Sequence, residues 1–258
     1  MKAVILAGGM QSTINDSYEG IPKPMAEIGE KPILWHIMKY LDAYGISEFI
    51  ICGGYKVNML KDYFRDYYIY ASDITVDLQK NTVTCHRKQT EDWKVTVVDT
   101  GLDTSVAKRI LRIENHIGEE DFLVVTGDTV SDLNIRELLK FHQEHGKILT
   151  LAVAKPTGRS EMLPIDAQGG FMDASTAALP QNQAWTELGA RVFTPAIFAY
   201  LKQDYEMLPS LYRKLADDGQ FISYFHDGFW LAMETRRDKV NLERMWANGT
   251  APWRIFES

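Results

Sequence analysis

The sequence predicts an α/β fold in which a parallel sheet is flanked by helices. A short continuous apolar run at 2–7 is typical of a buried parallel strand, and residues 46–52 are predicted to form a second strand. They alternate with segments at 31–44 and 57–68 whose apolar residues recur at helical spacing. This alternation requires crossover connections, which favours a parallel sheet. The composition, 45% hydrophobic and 24% charged, is that of an ordinary globular chain.

The first segment of the chain reads as a strand that leads into a turn and a long loop. The apolar run at 2–7 ends at Gly8-Gly9, and glycines allow the tight turn expected there. Pro22 and Pro24 interrupt the stretch that follows, because proline removes a backbone donor and fixes φ. Residues 10–30 are therefore predicted to be a loop.

Glycines mark the ends of two predicted helices. Apolar residues at helical spacing run through 31–44 and 134–145, and Gly45 and Gly146 follow these segments directly. Further strands are predicted at 73–78, 82–86, 94–99, 121–126 and 147–154. Further helices are predicted at 57–68, 105–114, 206–217 and 237–247.

The organisation predicted from these elements is a single domain over 1–258, since no linker-like segment divides the chain. Within it, residues 1–155 are expected to form an α/β core. Residues 156–258 are expected to form a C-terminal, β-rich part packed on that core.

Charge and cysteine content exclude several classes of protein. The formal net charge of −7 does not attract nucleic acid. No apolar run reaches membrane-spanning length, and the N-terminus lacks a cleavable signal, so no membrane partner is expected. Cys52 and Cys85 have no metal-type spacing and suit a reducing compartment. The protein is therefore expected in the cytoplasm.

Two segments place small or acidic residues where open parallel sheets bind their ligands, beyond the carboxyl ends of strands. Residues 7–13 contain Gly8-Gly9, whose backbone can approach a phosphate closely, although a tight turn without a ligand is equally consistent. Asp128 follows the predicted strand at 121–126 and could present a carboxylate to Mg²⁺, although a turn aspartate is the simpler interpretation of that residue alone.

Lys23 is the third candidate, because Pro22 and Pro24 on either side would stiffen its loop and aim its ammonium group. Taken alone, it is equally a solvated lysine on a rigid loop.

Taken together, these segments resemble the sugar-1-phosphate nucleotidyltransferases, and most of all the cytidylyltransferases among them. The resemblance runs through nearly the whole chain in matching order. It rests on Ala7-Gly8-Gly9, Pro22-Lys23-Pro24-Met25, Ile28-Gly29, Lys31-Pro32-Ile33-Leu34, Trp35-His36-Ile37-Met38-Lys39, 49–56, 97–101, Gly228-Phe229-Trp230, 237–240 and Ala251-Pro252-Trp253.

The resemblance implies a mixed, mostly parallel sheet flanked by helices, with 1–155 as a nucleotide-binding core and 156–258 as the sugar-side part. The implied reaction joins CTP and a phosphorylated sugar or related acceptor and releases pyrophosphate. Lys23 and Asp128 are the implied catalytic residues, and Asp128 and Glu234 the implied ligands of Mg²⁺. The implied nucleotide-binding residues are Leu6, Ala7, Gly8, Gly9, Gln11, Thr13, Lys23, Arg109 and Gly127. A homo-oligomer is implied by the same resemblance.

The sequence departs from the family's pattern in its phosphate loop. The family's loop reads Gly-Gly-x-Gly-Thr-Arg-Leu, whereas this chain has Gln11 in place of a glycine and Thr13 in place of the arginine. The Gln11 side chain would occupy space that the triphosphate uses. Loss of the arginine is expected to lower the rate by roughly 10²–10³-fold, as for other electrostatic stabilisers.

Three further departures lie in segments that face the nucleotide or the sugar in the family. Residues 106–110 (Val-Ala-Lys-Arg-Ile) replace Thr-Gly-Gly-Arg-Leu, and Lys108 could supply a new positive charge. Residues 172–180 lack the lysine of a Glu-Lys-Pro segment that contacts the sugar phosphate. Glu187-Leu188-Gly189 replaces an Asn-Gly-Gly strand that frames the sugar.

Three functions stay open at this point. The first is an active nucleotidyltransferase with an altered acceptor, which Lys23, Asp128 and Glu234 support. The second is an impaired relative that binds nucleotide or acts as a regulatory or structural partner, which Gln11 and Thr13 support. The third is a different reaction on the same scaffold, because function resides in sites rather than folds.

Several prominent side chains are assigned to packing rather than chemistry. The histidines of the predicted helices, His36, His142 and His145, are expected to be packed or solvated. The large aromatic residues Trp35, Phe229, Trp230 and Trp253 are expected in the core or a subunit contact. The tyrosine-rich stretch 63–68 is a candidate subunit interface.

Overall fold

The computed structural model describes residues 1–9, 20–86, 90–156, 161–172, 184–203 and 208–256. Among the part of the chain thus described, no helix is both long and apolar enough to cross a membrane.

Thirteen strands and eight α-helices are formed by these residues. The strands are β1 (Lys2–Ala7), β2 (Glu27–Ile28), β3 (Lys31–Pro32), β4 (Glu48–Gly53), β5 (Asp73–Asp77), β6 (Thr82–His86), β7 (Lys94–Asp99), β8 (Phe122–Thr126), β9 (Thr129–Ser131), β10 (Leu149–Ala154), β11 (Thr186–Phe193), β12 (Phe221–His226) and β13 (Trp230–Ala232). The helices are α1 (Ile33–Asp42), α2 (Val57–Tyr70), α3 (Val106–Leu111), α4 (Glu114–Ile117), α5 (Ile135–His145), α6 (Ile197–Leu201), α7 (Leu208–Asp217) and α8 (Arg236–Ala247).

Seven strands make one sheet in the order β12-β10-β11-β8-β1-β4-β7. Neighbouring strands are parallel except at β11, which runs antiparallel to both β10 and β8. The predicted mixed, mostly parallel sheet is therefore confirmed. The C-terminal strands β11 and β12 extend this same sheet, while β13 pairs with β9 beside it. Parallel alignment brings the carboxyl ends of β1, β4, β7 and β8 to one edge.

Both faces of the sheet are covered, which explains the continuous apolar strands. Ala3 and Ile5 of β1 face a core shared with α1 and α5, whereas Val4 faces a second core shared with α3, α6 and α7. His36 and His142 are buried in these layers, which confirms that they are packed.

The element boundaries differ from the predictions where local contacts interrupt a regular pattern. The segment predicted as one helix at 105–114 forms two short helices, α3 and α4. The first ends at Leu111, and the side chain of the following residue, Arg112, turns back to donate to Thr100 O and to Thr104 Oγ1. The predicted loop contains a 3₁₀ turn at Lys23–Met25 and the small strand β2, and its residues 10–19 lie outside the described residues. Strand β3 takes the first two residues of the segment predicted as a helix at 31–44.

The two buried histidines predict a loss of stability in acid. The ring of His36 has Ile28 O at 2.7 Å from Nε2, and its Nδ1 accepts from the Trp253 indole at 3.5 Å, so the neutral form is held. Burial lowers the pKa of His36 and of His142 from 6.5 to about 4. Between pH 6.5 and 4 these histidines are therefore protonated in the unfolded chain but neutral in the folded one. The free energy of unfolding should be constant above pH 7.5 and fall between pH 6.5 and 4, by about 3 kcal/mol per histidine.

Urea unfolding measured across this pH range checks the prediction. A His142→Gln variant should show a shallower fall than the unmodified chain, because one proton uptake is removed. His116→Gln, at an exposed position, is the matched control and should leave the slope unchanged. A slope that is equal in all three proteins would contradict the assignment.

Candidate functional site

A cleft of about 810 Å³ opens at the carboxyl end of β8, between the sheet and the helices α3, α7 and α8. Its walls include Thr126 and Asp128 at the end of β8, Glu187 and Arg191 of β11, and Glu234 after β13. This is the position at which open α/β sheets bind ligands. Two of the sequence-predicted residues, Asp128 and Glu234, therefore share one cavity.

Lys23 and Asp128, which are far apart in sequence, form an ion pair with Nζ 3.3 Å from Oδ2. The 3₁₀ turn that carries Lys23 is closed by a bond from Met25 N to Pro22 O of 2.9 Å. Gly127 lets this turn approach the sheet, because a Cβ there would lie 3.0 Å from Pro24 Cγ. The turn residues therefore place the ammonium group beside the carboxylate.

Glu234 is brought to Asp128 by backbone pairing. β13 runs antiparallel to β9 with Ala232 opposite Thr129, and Met233 N donates to Asp128 O at 2.8 Å. Glu234 follows directly, at the entrance to α8. The main chain is fixed there by a capping box between Thr235 and Asp238. Among the described residues no group of three or more acidic, cysteine or histidine side chains forms a ready metal cage.

Arg109 occupies the carboxyl edge of the sheet next to Gly8. Its buried guanidinium donates five hydrogen bonds of 2.7 to 3.3 Å, to Gly8 O, Gly53 O, Thr100 Oγ1, Gly101 O and Leu102 O. A Cβ at Gly8 would collide with this guanidinium. Arg109 thereby joins the ends of β1, β4 and β7 into one platform.

Of the remaining predicted nucleotide-binding residues, the structure describes Leu6, Ala7 and Gly9 but not Gln11 and Thr13. Leu6 O accepts from Gly127 N at 3.0 Å, and Ala7 lies beside Gly53 in the parallel register of β1 and β4. Gly9 is exposed, and a Cβ added there would have no described atom within 4 Å. Gln11 and Thr13 lie outside the described residues, as do 173–180 of the sugar-phosphate segment, so their roles stay predictions.

The sequence interpretation missed Arg191, Tyr212 and Thr126, which also line the cleft. Arg191 is 3% exposed and pairs with Glu187, and Tyr212 Oη donates to Glu187 Oε2 at 3.2 Å. A signal was present for one of them, because Arg191 lies between the apolar residues Ala190 and Val192. Its partners could not be inferred, since they come from distant elements.

The chain resembles known proteins over its whole length. The Nucleotidyl transferase family profile matches residues 2–162, more than half of the chain. Glucose-1-phosphate cytidylyltransferase of Salmonella typhi is 40% identical over 261 residues, covering 100% of both proteins. UTP–glucose-1-phosphate uridylyltransferase of Synechocystis is 24% identical over 228 residues, covering 85% of this chain and 56% of that protein.

Solved structures show the same architecture at lower identity. A UDP-glucose pyrophosphorylase superposes with a TM-score of 0.71 at 16% identity, covering 96% of this chain and 99% of that one. HddC from Yersinia pseudotuberculosis superposes with a TM-score of 0.68 at 18% identity, covering 95% and 99%. The fold is therefore that of the nucleotide-diphospho-sugar transferases.

The chain belongs to the nucleotidyl transferase family, and its full-length similarity groups it with relatives named glucose-1-phosphate cytidylyltransferase.

Proposed function

We propose that this protein transfers a cytidylyl group from CTP to the phosphate of a sugar 1-phosphate or a related phosphorylated acceptor. The observation that carries the proposal is the Lys23–Asp128 pair at the carboxyl end of β8, in a chain 40% identical throughout to relatives named for this reaction. Nothing among the described residues or in the similarity to these relatives favours an impaired protein.

The reaction forms a bond between an acceptor phosphate oxygen and the α-phosphorus of CTP. The bond from that phosphorus to the oxygen shared with the β-phosphorus breaks, and its electron pair leaves with pyrophosphate. Such transfers depend on in-line positioning and charge stabilisation rather than on a covalent protein intermediate. Lys23 supplies a positive charge fixed by its 3₁₀ turn, and Gly9, where an added Cβ would meet no described atom, leaves room for phosphate oxygens after the end of β1.

The donor set suits Mg²⁺, which typically binds to one or two carboxylates together with substrate phosphates and water. Asp128 and Glu234 supply two carboxylates on one cleft, close enough in backbone terms for Met233 N to donate to Asp128 O at 2.8 Å. The ion, when bound, would neutralise the developing charge on the phosphates. The ammonium group of Lys23 would offset part of the negative charge of Asp128 and Glu234.

The direct test is pyrophosphate release by purified protein with CTP, Mg²⁺ and a panel of sugar 1-phosphates. Turnover with at least one of them, abolished by EDTA, is expected. Thermal shifts with CTP provide the second readout. No release from any acceptor together with no thermal shift by CTP would overturn the proposal, and a shift without release would favour the impaired relative.

We also propose that the protein is a homo-oligomer, and the β5–β6 hairpin is the surface that supports this. Its register places Ile74 opposite Cys85 and Val76 opposite Val83, so these four side chains share one face. The three aliphatic residues are exposed. Two-stranded hairpins are marginally stable in water, and a contiguous apolar face commonly marks an interface.

The free thiols at Cys52 and Cys85 are consistent with a cytoplasmic location.

Charges placed on this face should dissociate the oligomer. Sedimentation velocity of a Val76→Asp/Val83→Asp variant is expected to give a monomer, because burying two carboxylates in a contact is costly. Thr75→Asp/Thr84→Asp is the matched control, since this cross-strand pair lies on the opposite face. A monomer in the unmodified protein, or dissociation by both pairs equally, would refute this interface.

A further inference from the structure

A buried polar cluster on the floor of the cleft is left unused by the proposed transfer of a cytidylyl group. Arg191 and Glu187 lie on β11 at positions that alternation places on the same side of the strand, the side that carries α7. Arg191 Nη2 donates to Glu187 Oε1, and the Tyr212 hydroxyl donates to Glu187 Oε2 at 3.2 Å. Glu187 is thus held from two sides, whereas Arg191 has one acceptor.

Arg191 retains donors that have no acceptor. Nε and Nη1 carry three N–H groups, and neither atom has a hydrogen-bond partner within the described part of the chain. The side chain is 3% exposed, so bulk water does not satisfy them. Buried donors without partners are rare and costly, most of all on a charged group, and each calls for an explanation.

Thr126 provides a second unsatisfied group close by. Its Oγ1 is buried and likewise lacks a partner among the residues described. It lies at the end of β8, next to β11, where Ala190 pairs with Val125 and Gly189 leaves no space for a Cβ beside Thr126 Oγ1. Thr126 and Arg191 line the same cleft as Asp128. The free donors therefore border the cavity that also holds Asp128 and Glu234, the proposed ligands of the metal ion.

The chemistry of these donors selects the group that they bind. A hydroxyl accepts from at most two of the three free N–H groups, and its own proton must then go to another acceptor. A carboxylate or phosphate offers several lone pairs and no proton, and it pairs with arginine more strongly than a neutral oxygen does. The cleft also carries carboxylates, but Asp128 and Glu234 are assigned to the metal ion and Asp238 to the cap of α8. Of the other two, Glu187 is held by Arg191 Nη2 and Tyr212, and Glu161 is exposed.

We propose that Arg191 and Thr126 form a subsite for an oxyanion on the acceptor, distinct from the phosphate that attacks CTP. The acceptor is then an acidic compound that carries a carboxylate or a second phosphate. This inference rests on the proposed nucleotidyl transfer. It also gives a role to the departure at Glu187-Leu188-Gly189, because Glu187 holds Arg191, which supplies a charge for acceptor recognition.

The experiment compares kcat/KM for acceptors that share a ring and differ in one group. The probes are α-D-glucose 1-phosphate, α-D-glucuronic acid 1-phosphate and α-D-glucose 1,6-bisphosphate, each with CTP and Mg²⁺. Glycerol 3-phosphate and 3-phosphoglycerate provide an acyclic neutral and acidic pair. At least one acidic probe should exceed its neutral counterpart by roughly 10²-fold, the scale of hydrogen bonds to a charged group. The probe that prevails tells a carboxylate from a second phosphate.

Variants assign the preference to Arg191. Arg191→Met should lower kcat/KM for the preferred acidic acceptor by roughly 10²-fold, mainly through KM, and change the neutral acceptor by less than about threefold. Arg191→Lys should restore part of the loss, because it returns the charge without the fork. Arg191→Met leaves the Glu187 carboxylate without its ion-pair partner, which could prevent folding. The double variant Glu187→Gln/Arg191→Met removes that unpaired charge and should therefore fold. Arg136→Met, exposed on α5, is the matched control.

The outcomes separate this subsite from the proposed reaction. The subsite is rejected if every neutral probe has a higher kcat/KM than its acidic counterpart, or if Arg191→Met lowers kcat/KM equally for both. Turnover of any of these probes still supports the proposed transfer. If no probe is turned over, thermal shifts with the acidic probes alone decide. Shifts that disappear in Arg191→Met uphold the subsite and reject the transfer, and shifts that persist reject both.

Discussion

Asp128→Asn is expected to lower kcat by roughly 10³-fold without unfolding the protein. The substitution keeps the shape of the side chain and removes the negative charge that faces Lys23 at 3.3 Å and that would bind Mg²⁺. Both losses act on the same phosphates, because lysine and metal ion would stabilise charge that develops in the transition state. Pyrophosphate release measured at saturating CTP gives the value, and EDTA should have little further effect on the variant.

The control for this prediction is Asp217→Asn, at an exposed position at the end of α7. It makes the same change of charge far from β8 and should leave kcat within about twofold, as for most surface substitutions. Thermal melting should show both variants folded. Retention of more than about a tenth of the activity by Asp128→Asn would remove Asp128 from the catalytic set.

The part of this site that sequence reasoning reached depends on local signals. Asp128 follows a buried apolar strand, and Lys23 lies between two prolines, so each stood out within a few residues of chain. Their pairing across 105 positions could only be suggested by the resemblance. The structure supplies the physical reason, which is the close packing of Gly127 against Pro24 and Leu6 O.

The part that sequence reasoning missed depends on strand order. Arg191 meets Glu187 and borders the cleft because β11 inserts between β10 and β8, where it reverses the direction of the sheet. Because side chains alternate between the two faces of a strand, the sequence of β11 indicates that Glu187 and Arg191 share a face. It does not indicate which helix covers that face. Placement of Tyr212 required the packing of α7, which no local pattern encodes.

Arg109 offers the largest expected effect on stability. Arg109→Met should lower the free energy of unfolding by about 4 kcal/mol, because five acceptors at the ends of β1, β4 and β7 would lose their shared donor in a buried place. Methionine fills much of the volume and satisfies none of these oxygens. Urea unfolding followed by circular dichroism measures the change.

The comparison that isolates this role uses arginines in contrasting surroundings. Arg65→Met removes a guanidinium that pairs with Asp62 and Asp66 on the exposed side of α2, and it should change the free energy of unfolding far less, because solvent screens exposed ion pairs. Arg109→Lys should fall between the two, since one ammonium cannot reach five acceptors. If Arg109→Met and Arg65→Met proved equally stable, the Arg109 guanidinium would not hold the sheet edge.

Because Gly8 O is one of the five acceptors, loss of Arg109 should also displace the Gly8-Gly9 turn. The thermal shift that CTP causes should therefore be smaller in the folded Arg109→Met variant.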